Sequence, residues 1–228
     1  MQGRFSRRQL LLIAASITGI GALITFADKV LHVFRTPPMP TIVPRAQWGA
    51  LLPDHQAADE FGLTDDPLNP AWYVYTQPLA DVYNTVAIHH SAALLASNET
   101  MLSVQKLHMD VNHWADVGYH FGIDNQGIIY AGRDLHVRGA SVAKHNYGVI
   151  GVVVLGNFEQ DTPLPVQLES LQALVNWLAS AYTLTHLAGH DEFNPETICP
   201  GKNLSAHLDE LAQNAGLQRG TSGYVAPV

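Results

Sequence analysis

The hydrophobic positions of the chain form several short, continuous apolar runs. Residues 85–90 and 149–155 are rich in β-branched side chains, which predicts two strands buried on both faces. Residues 118–124 and 128–131 predict two further strands joined by a tight turn, in which Gly127 supplies a positive φ. These segments therefore predict a sheet with at least one hairpin.

Apolar residues at helical spacing predict two helices between the strands. The first covers residues 98–112, with Asn98 as N-cap and Glu99 in the first turn, and the second covers residues 165–182. The inward stripe of the first helix is expected to contain Val104, Leu107, His108 and Val111. Residues 186–189 predict a last short strand. The order of elements predicts an α/β fold with a single mixed central β-sheet flanked by helices.

The N-terminal residues 1–35 have the composition of an export signal or a membrane anchor. Arg4, Arg7 and Arg8 precede an uncharged apolar run at residues 10–27. The paired arginines resemble a twin-arginine signal. Because the run is just long enough to span a bilayer, a cleaved signal and an anchor in the inner membrane both remain open. We expect an exported protein of the periplasm or cell envelope.

The rest of the chain is expected to form one domain. Residues 36–41 predict a Pro-rich linker, residues 42–215 the folded domain and residues 216–228 a C-terminal tail. Prolines and acidic residues within 41–83 predict a long surface loop with at most one helical turn. Loops of this length are more often functional than inert.

The charge balance and the cysteine count exclude several classes of protein. The 228 residues include 12 Lys and Arg against 20 Asp and Glu, a formal net charge of −8, which argues against a nucleic-acid-binding protein. Cys199 is the one cysteine of the chain, so neither an intramolecular disulfide nor a multi-cysteine zinc finger can form. The 12 histidines instead direct attention to metal and acid–base chemistry.

Three metal-ligating residue types follow predicted strand ends. His89 lies at the end of one strand, His190 follows another, and Cys199 comes nine residues later in a turn-rich loop. Two imidazoles and a thiolate suit a tetrahedral zinc ion with one position left open, which is the pattern of catalytic rather than structural zinc sites. The spacing alone is weak support, because the chain has no short metal motif such as HExxH.

Six sequence blocks carry a family resemblance. In chain order they read IVPRAQWGA at 42–50, IHHSA at 88–92, WADVGYHF at 114–121, IGVVVLGNF at 150–158, GHD at 189–191 and CPG at 199–201. In sequence and order these blocks resemble the zinc-dependent N-acetylmuramoyl-L-alanine amidases of the amidase-2/peptidoglycan recognition protein family. The resemblance spans residues 42–205 and implies the mixed α/β fold of that family.

The resemblance also implies a site and an activity. It implies a Zn2+ cofactor with the ligands His89, His190 and Cys199, a catalytic role for Tyr119 beside the attacking water, and oxyanion stabilisation by Thr197. The implied reaction is hydrolysis of the amide bond between N-acetylmuramic acid and L-alanine in peptidoglycan or muropeptides, for cell-wall remodelling or turnover. A non-catalytic peptidoglycan-binding module of the same fold and a phage-type lytic enzyme are the alternatives. Binding-only relatives commonly lack the cysteine ligand.

Several other polar residues are expected to have structural roles or positions outside the ligand set. Strand alternation directs His90 to the face opposite His89, where a packed or hydrogen-bonded role is expected. His120 is also expected to be structural, whereas His108 is expected at the solvent or the rim of the binding groove. For Arg133 two roles remain open, which are binding of a peptide carboxylate and capping of a hairpin.

Overall fold

A computed structural model describes residues 37–57 and 72–224. The predicted export segment at 1–35, the loop residues 58–71 and the last four residues 225–228 lie outside this description. Across the two described ranges, no helix combines the length and the apolar composition required to cross a membrane.

Seven strands form one mixed sheet. They are β1 (Ile42–Val43), β2 (Thr85–His90), β3 (Phe121–Ile123), β4 (Ile129–Ala131), β5 (Val149–Val154), β6 (His186–Gly189) and β7 (Gln218–Arg219). The order across the sheet is β1-β4-β3-β5-β2-β6-β7. Only the hairpin pair β3 and β4 is antiparallel. The predicted α/β fold with a mixed central sheet is confirmed, and the short outer strands β1 and β7 are additions to it.

The part of the chain that the structure describes contains seven α-helices. They are α1 (Arg45–Trp48), α2 (Leu79–Val82), α3 (Met101–Lys106), α4 (Pro165–Ala181), α5 (His190–Phe193), α6 (Lys202–Ser205) and α7 (Leu208–Ala215). A 3₁₀ turn at Leu95–Ser97 precedes α3, and a π-helical turn at Leu107–Val111 follows it. The long helix α4 matches the predicted one within one residue.

The two faces of the sheet differ in how they are covered. On β2, Val86 and Ile88 point to a face where α4 and α7 pack, and these elements share the main hydrophobic core with Leu171 and Leu208. Each such fully buried side chain contributes roughly 1.5–3 kcal/mol of hydrophobic stabilisation. The opposite face carries His89 and is covered by a second, smaller apolar cluster that includes residues of α3.

The start of α3 differs from the prediction. Thr100, not Asn98, is the N-cap, because its side chain accepts a hydrogen bond from the backbone N–H of Ser103 while the Ser103 hydroxyl accepts one from Thr100 N–H. Leu107 and Val111, predicted to point inward, are 46% and 64% exposed. The π-helical turn changes the angular spacing there, so the 3.6-residue period no longer applies.

The predicted C-terminal tail is in part a structural element of the domain. Helix α7 ends at Ala215 and is capped by Gly216, whose φ of 71° turns the chain back toward the sheet. Residues Gln218–Arg219 then form β7, which pairs in parallel with β6. Farther on, the Tyr224 ring packs edge-on against Phe193, with 5.8 Å between centroids. The domain therefore continues past the predicted limit at residue 215.

Candidate metal centre

Two parallel strands bring the predicted histidine ligands together. Strands β2 and β6 are neighbours, and Ile88 lies opposite Gly189 in their register. The next residue in each segment is a predicted ligand: His89 continues β2, and His190 begins α5 directly after β6. Both residues therefore lie near the carboxyl ends of the two strands. Their ring centroids are 4.7 Å apart, and His89 is completely buried.

The third predicted ligand approaches from the loop after α5. Cys199 Sγ lies 3.7 Å from His89 Nδ1 and accepts a hydrogen bond from the backbone N–H of His90 at 3.3 Å. The carbonyl oxygen of Cys199 accepts from the N–H of Asp191 at 2.8 Å, which ties the cysteine loop to the turn that carries His190. The backbone thus holds the loop against both histidine-bearing strands.

The arrangement of the three ligand atoms fits a zinc ion. The ligand atoms of His89, His190 and Cys199 all lie within 4.8 Å of one another. Ordinary zinc–nitrogen and zinc–sulfur bonds in a tetrahedron place N and S about 3.5 Å apart, close to the separation of His89 Nδ1 and Cys199 Sγ. Burial raises the pKa of the Cys199 thiol to about 12, so a nearby cation is required to hold it as the thiolate.

Burial also keeps the two imidazoles in the form that a metal requires. It lowers the pKa of His89 well below its ordinary value and that of His190 to about 4. Both rings are therefore neutral at pH 7, with a lone pair free for coordination. His89 Nε2 is buried, and the described residues offer it no hydrogen-bond partner. The other ring nitrogen, Nδ1, is the one that faces Cys199 Sγ.

Tyr119, the predicted catalytic tyrosine, lies beside the ligand cluster. Its ring centroid is 5.0 Å from that of His89, and the side chain is only partly exposed. Burial raises the pKa of its phenol, and the neighbouring Cys199 and Glu99 add to the shift. The hydroxyl is therefore protonated at neutral pH and can donate a hydrogen bond.

Thr197 lies two residues before the cysteine, on the same loop. Its Oγ1 accepts a hydrogen bond from Cys199 N–H at 3.2 Å. Because the hydroxyl acts as acceptor in this contact, its own proton remains able to donate to another group. The neighbouring Ile198 is 65% exposed, so this segment forms part of the surface around the cluster.

His108 was predicted on the inward stripe of its helix and also at the solvent or groove rim, and the structure confirms only the inward position. It is 5% exposed and not at the solvent, with its ring centroid 4.5 Å from Trp114 and 5.3 Å from Tyr119. Its Nδ1 accepts the backbone N–H of Gly118 at 2.9 Å, which leaves any ring proton on Nε2. The side chain therefore supports one side of Tyr119. Its position four residues after Val104 was the available signal for burial.

His90 and His120 have the structural roles that were predicted for them. His90 points away from His89, and its Nδ1 accepts a hydrogen bond from Phe158 N–H at 3.1 Å. His120 is 1% exposed, and its Nδ1 accepts from Gly151 N–H at 3.1 Å. Neither residue belongs to the ligand cluster.

The buried position of Arg133 decides between its two predicted roles. The residue is 1% exposed, and its guanidinium donates to the backbone carbonyls of Val117 and Arg138 at 3.0 Å each. It also lies over the ring of Trp72, 5.2 Å from the centroid. Arg133 therefore braces the backbone around the hairpin and is not placed to bind a substrate carboxylate.

Comparison with known proteins identifies the family of the chain. The family model described as N-acetylmuramoyl-L-alanine amidase (Amidase_2) matches residues 79–202, which is more than half of the chain and contains the ligand cluster. The chain is 29% identical over 201 residues to peptidoglycan-recognition protein LB of Drosophila melanogaster, covering 82% of this chain and 76% of the relative.

Two further relatives extend the comparison. An N-acetylmuramoyl-L-alanine amidase of Sus scrofa is 31% identical over 173 residues, which cover 72% of this chain and 26% of the relative. A solved structure of a Drosophila peptidoglycan recognition protein LB mutant in complex with tracheal cytotoxin has a TM-score of 0.59 and 27% identity, covering 74% of this chain and 92% of that one. The match to the family model, together with the shared fold, shows that the chain belongs to the N-acetylmuramoyl-L-alanine amidase family Amidase_2.

Proposed function

We propose that the protein is a zinc-dependent amidase that cleaves the amide bond between N-acetylmuramic acid and L-alanine in bacterial peptidoglycan or muropeptides, in cell-wall remodelling or turnover. The observation that carries the proposal is the convergence of Cys199 with His89 and His190 beside Tyr119. Three protein ligands leave a tetrahedral ion one open position, as in catalytic zinc sites. The tracheal cytotoxin in the structure of a related protein supports a muropeptide as the ligand class.

Each site residue has a role that its surroundings support. A bound zinc ion would act as a Lewis acid and activate water for hydrolysis. The neutral Tyr119 hydroxyl would orient the attacking water and assist proton transfer to the leaving amine. Thr197 would donate its hydroxyl proton to the carbonyl oxygen as negative charge develops there, and losing such a donor typically costs about 3–4 kcal/mol. The His90 N–H would stabilise the Cys199 thiolate.

Mass analysis of products from defined muropeptides tests the activity. We expect zinc-loaded protein to release the stem peptide from the muramic acid, and a chelator to abolish this release. Cys199→Ser and His190→Ala proteins should lose hydrolysis, whereas His207→Ala, a partly exposed histidine outside the ligand cluster, should retain it. Full activity of either ligand variant would disprove the zinc mechanism.

The same assay separates the alternatives. Tight muropeptide binding without hydrolysis in zinc-replete buffer would identify a binding module. Lysis of intact bacteria by purified protein added to the medium would favour a lytic enzyme over a remodelling one.

Export of the chain is a second part of the proposal, and it is supported by the arginine pair and the apolar run of residues 1–35. A fusion of these residues to a reporter that is active only after export in the folded state tests it. We expect export of the fusion and its loss after Arg7-Arg8→Lys-Lys. Export that persists in that variant would contradict the twin-arginine route, and a wild-type fusion that stays inside would contradict export.

A further inference from the structure

An ion pair outside the ligand set contacts the turn that carries His190. Glu192 Oε2 accepts a hydrogen bond from the backbone N–H of Gly189 at 2.7 Å. The same carboxylate oxygen accepts from Arg219 Nη1, which also donates to the carbonyl oxygen of Leu187 at 3.1 Å. Arg219 belongs to the outer strand β7. Glu192 therefore connects this strand to Gly189, the residue directly before His190.

The position of the His190 side chain depends on the local backbone conformation more than that of His89 does. His89 is fully buried within the six-residue strand β2, where packing fixes its ring. His190 is only partly buried and is the first residue of a helix that is a single turn long. Such a short helix does not hold its own conformation. Its geometry therefore depends on contacts such as that between Gly189 and Glu192.

We propose that Glu192 and Arg219 are positioning residues for the zinc ligand His190. The carboxylate of Glu192 fixes the strand-to-helix turn, and Arg219 fixes the carboxylate from the neighbouring strand. Their side chains are 31% and 26% exposed, which shields the pair from solvent in part. The inference rests on the proposed zinc site and adds a supporting shell to it, because ligand geometry in metal sites is set by such outer contacts.

The chain offers a matched control in Asp209. Arg219 Nε donates to Asp209 Oδ1 at 2.9 Å, and the Asp209 side chain is 89% exposed. Asp209→Asn therefore weakens a contact of Arg219 without changing the link to Gly189. If Arg219 served only to attach β7 to the domain, loss of its contact with Asp209 and loss of its contact with Glu192 would have similar effects on zinc affinity.

Zinc affinity of the full-length protein tests the inference without using activity. Metal-free wild type and variants are titrated with Zn2+ against a chromophoric chelator, well below their melting temperatures. We expect Glu192→Ala and Arg219→Leu each to weaken zinc binding about tenfold or more. The double variant should be little worse than either single variant, because the two residues act as one unit. Asp209→Asn should remain within twofold of wild type.

A conservative variant keeps the inference testable if Glu192→Ala fails to fold. Glu192→Gln keeps an oxygen that can accept from Gly189 N–H but loses the charge opposite Arg219, so its zinc affinity should lie between wild type and Glu192→Ala. Folded variants that all bind zinc within twofold of wild type would overturn this inference alone. A wild-type protein that binds no zinc would overturn the proposed zinc site and this inference together.

Discussion

At the scale of single residues, burial sets the protonation of the whole candidate site. It raises the pKa values of the Cys199 thiol and the Tyr119 phenol, and it lowers those of His89 and His190. All four groups are therefore neutral at pH 7 when no ion is bound. The positive charge that a hydrolytic site requires would then come from the metal, and the protein supplies oriented neutral donors and ligands.

We predict that Tyr119→Phe lowers kcat without changing zinc affinity. The substitution removes the hydroxyl but keeps the ring that packs beside His89 and His108. Loss of one acid–base or orienting group typically reduces the rate by about 100-fold or more. Steady-state kinetics on a defined muropeptide, with zinc content measured in the same samples, checks this. A kcat within a few-fold of wild type would remove Tyr119 from the mechanism.

The sequence identified some residues of the site better than others. His89, His190 and Cys199 could be predicted because each lies in a motif at a strand end or in a marked loop, and the structure brings them together. For His108 the helical spacing indicated burial, but its ring contacts with Trp114 and Tyr119 could not be predicted, because tertiary packing sets them. Arg133 was undecided because the backbone carbonyls of Val117 and Arg138 come within reach of its guanidinium only when the chain has folded.

At the scale of elements, the cysteine loop depends on a glycine that packs against another chain segment. Gly201 has a φ of 87°, and a Cβ atom there would collide with the backbone of Phe158 and Glu159. Gly216, by contrast, has a φ of 71° but open space around it. An alanine at Gly216 would therefore destabilise the fold only through its left-handed conformation. An alanine at Gly201 would add a steric clash with the backbone.

We predict that Gly201→Ala is much more destabilising than Gly216→Ala. Both variants pay the cost of a left-handed alanine, about 1–2 kcal/mol, but only the first also forces backbone segments apart. The movement should displace Cys199 and weaken zinc binding, whereas Gly216→Ala should leave zinc binding unchanged. Urea unfolding and zinc titration of both variants measure this. Equal losses of stability would contradict the role of the close approach.

Element length explains which parts of the fold could be predicted. The central strands β2 and β5 have six residues each, enough for a clear apolar run, and α4 shows several helical periods. The outer strands β1 and β7 have two residues each and no measurable period. Helix α7 did carry a signal in Leu208, Leu211 and Ala212, whose spacing is helical and which are all buried.

At the scale of the whole molecule, the candidate site exists only when the sheet is complete. His89 and His190 are separated by 101 positions along the chain, and strand pairing between β2 and β6 brings them together. Metal binding should therefore be coupled to global folding rather than to a local loop.

We predict that metal-free protein loses stability as the pH falls from 7 to 5. Burial lowers the pKa values of His108 and His120 to about 4 in the folded state, whereas the unfolded chain has ordinary values near 6.5. Between these values the unfolded state binds more protons, so the free energy of unfolding decreases as the pH is lowered. The loss at pH 5 is about 2 kcal/mol for each of the two histidines.

Urea unfolding in the presence of a chelator, at pH 7 and pH 5, measures this loss. His89 and His190, the proposed metal ligands, act in the same direction, and Glu99, whose pKa is raised by burial, acts in the opposite one. His113→Asn, at an exposed position whose φ of 58° suits asparagine, should leave the pH dependence unchanged. Equal stability at both pH values would contradict the prediction.

The two-residue strands at the borders of the sheet have a consequence for the protein at high concentration. An outer strand exposes unpaired N–H and C=O groups that can recruit a strand from another molecule, and a long, flat border is a template for aggregation. With only two residues each, β1 and β7 offer too few of these groups for stable pairing between molecules. The same short length that kept these strands from being recognised in the hydrophobic pattern should thus limit self-association of the folded chain through its sheet.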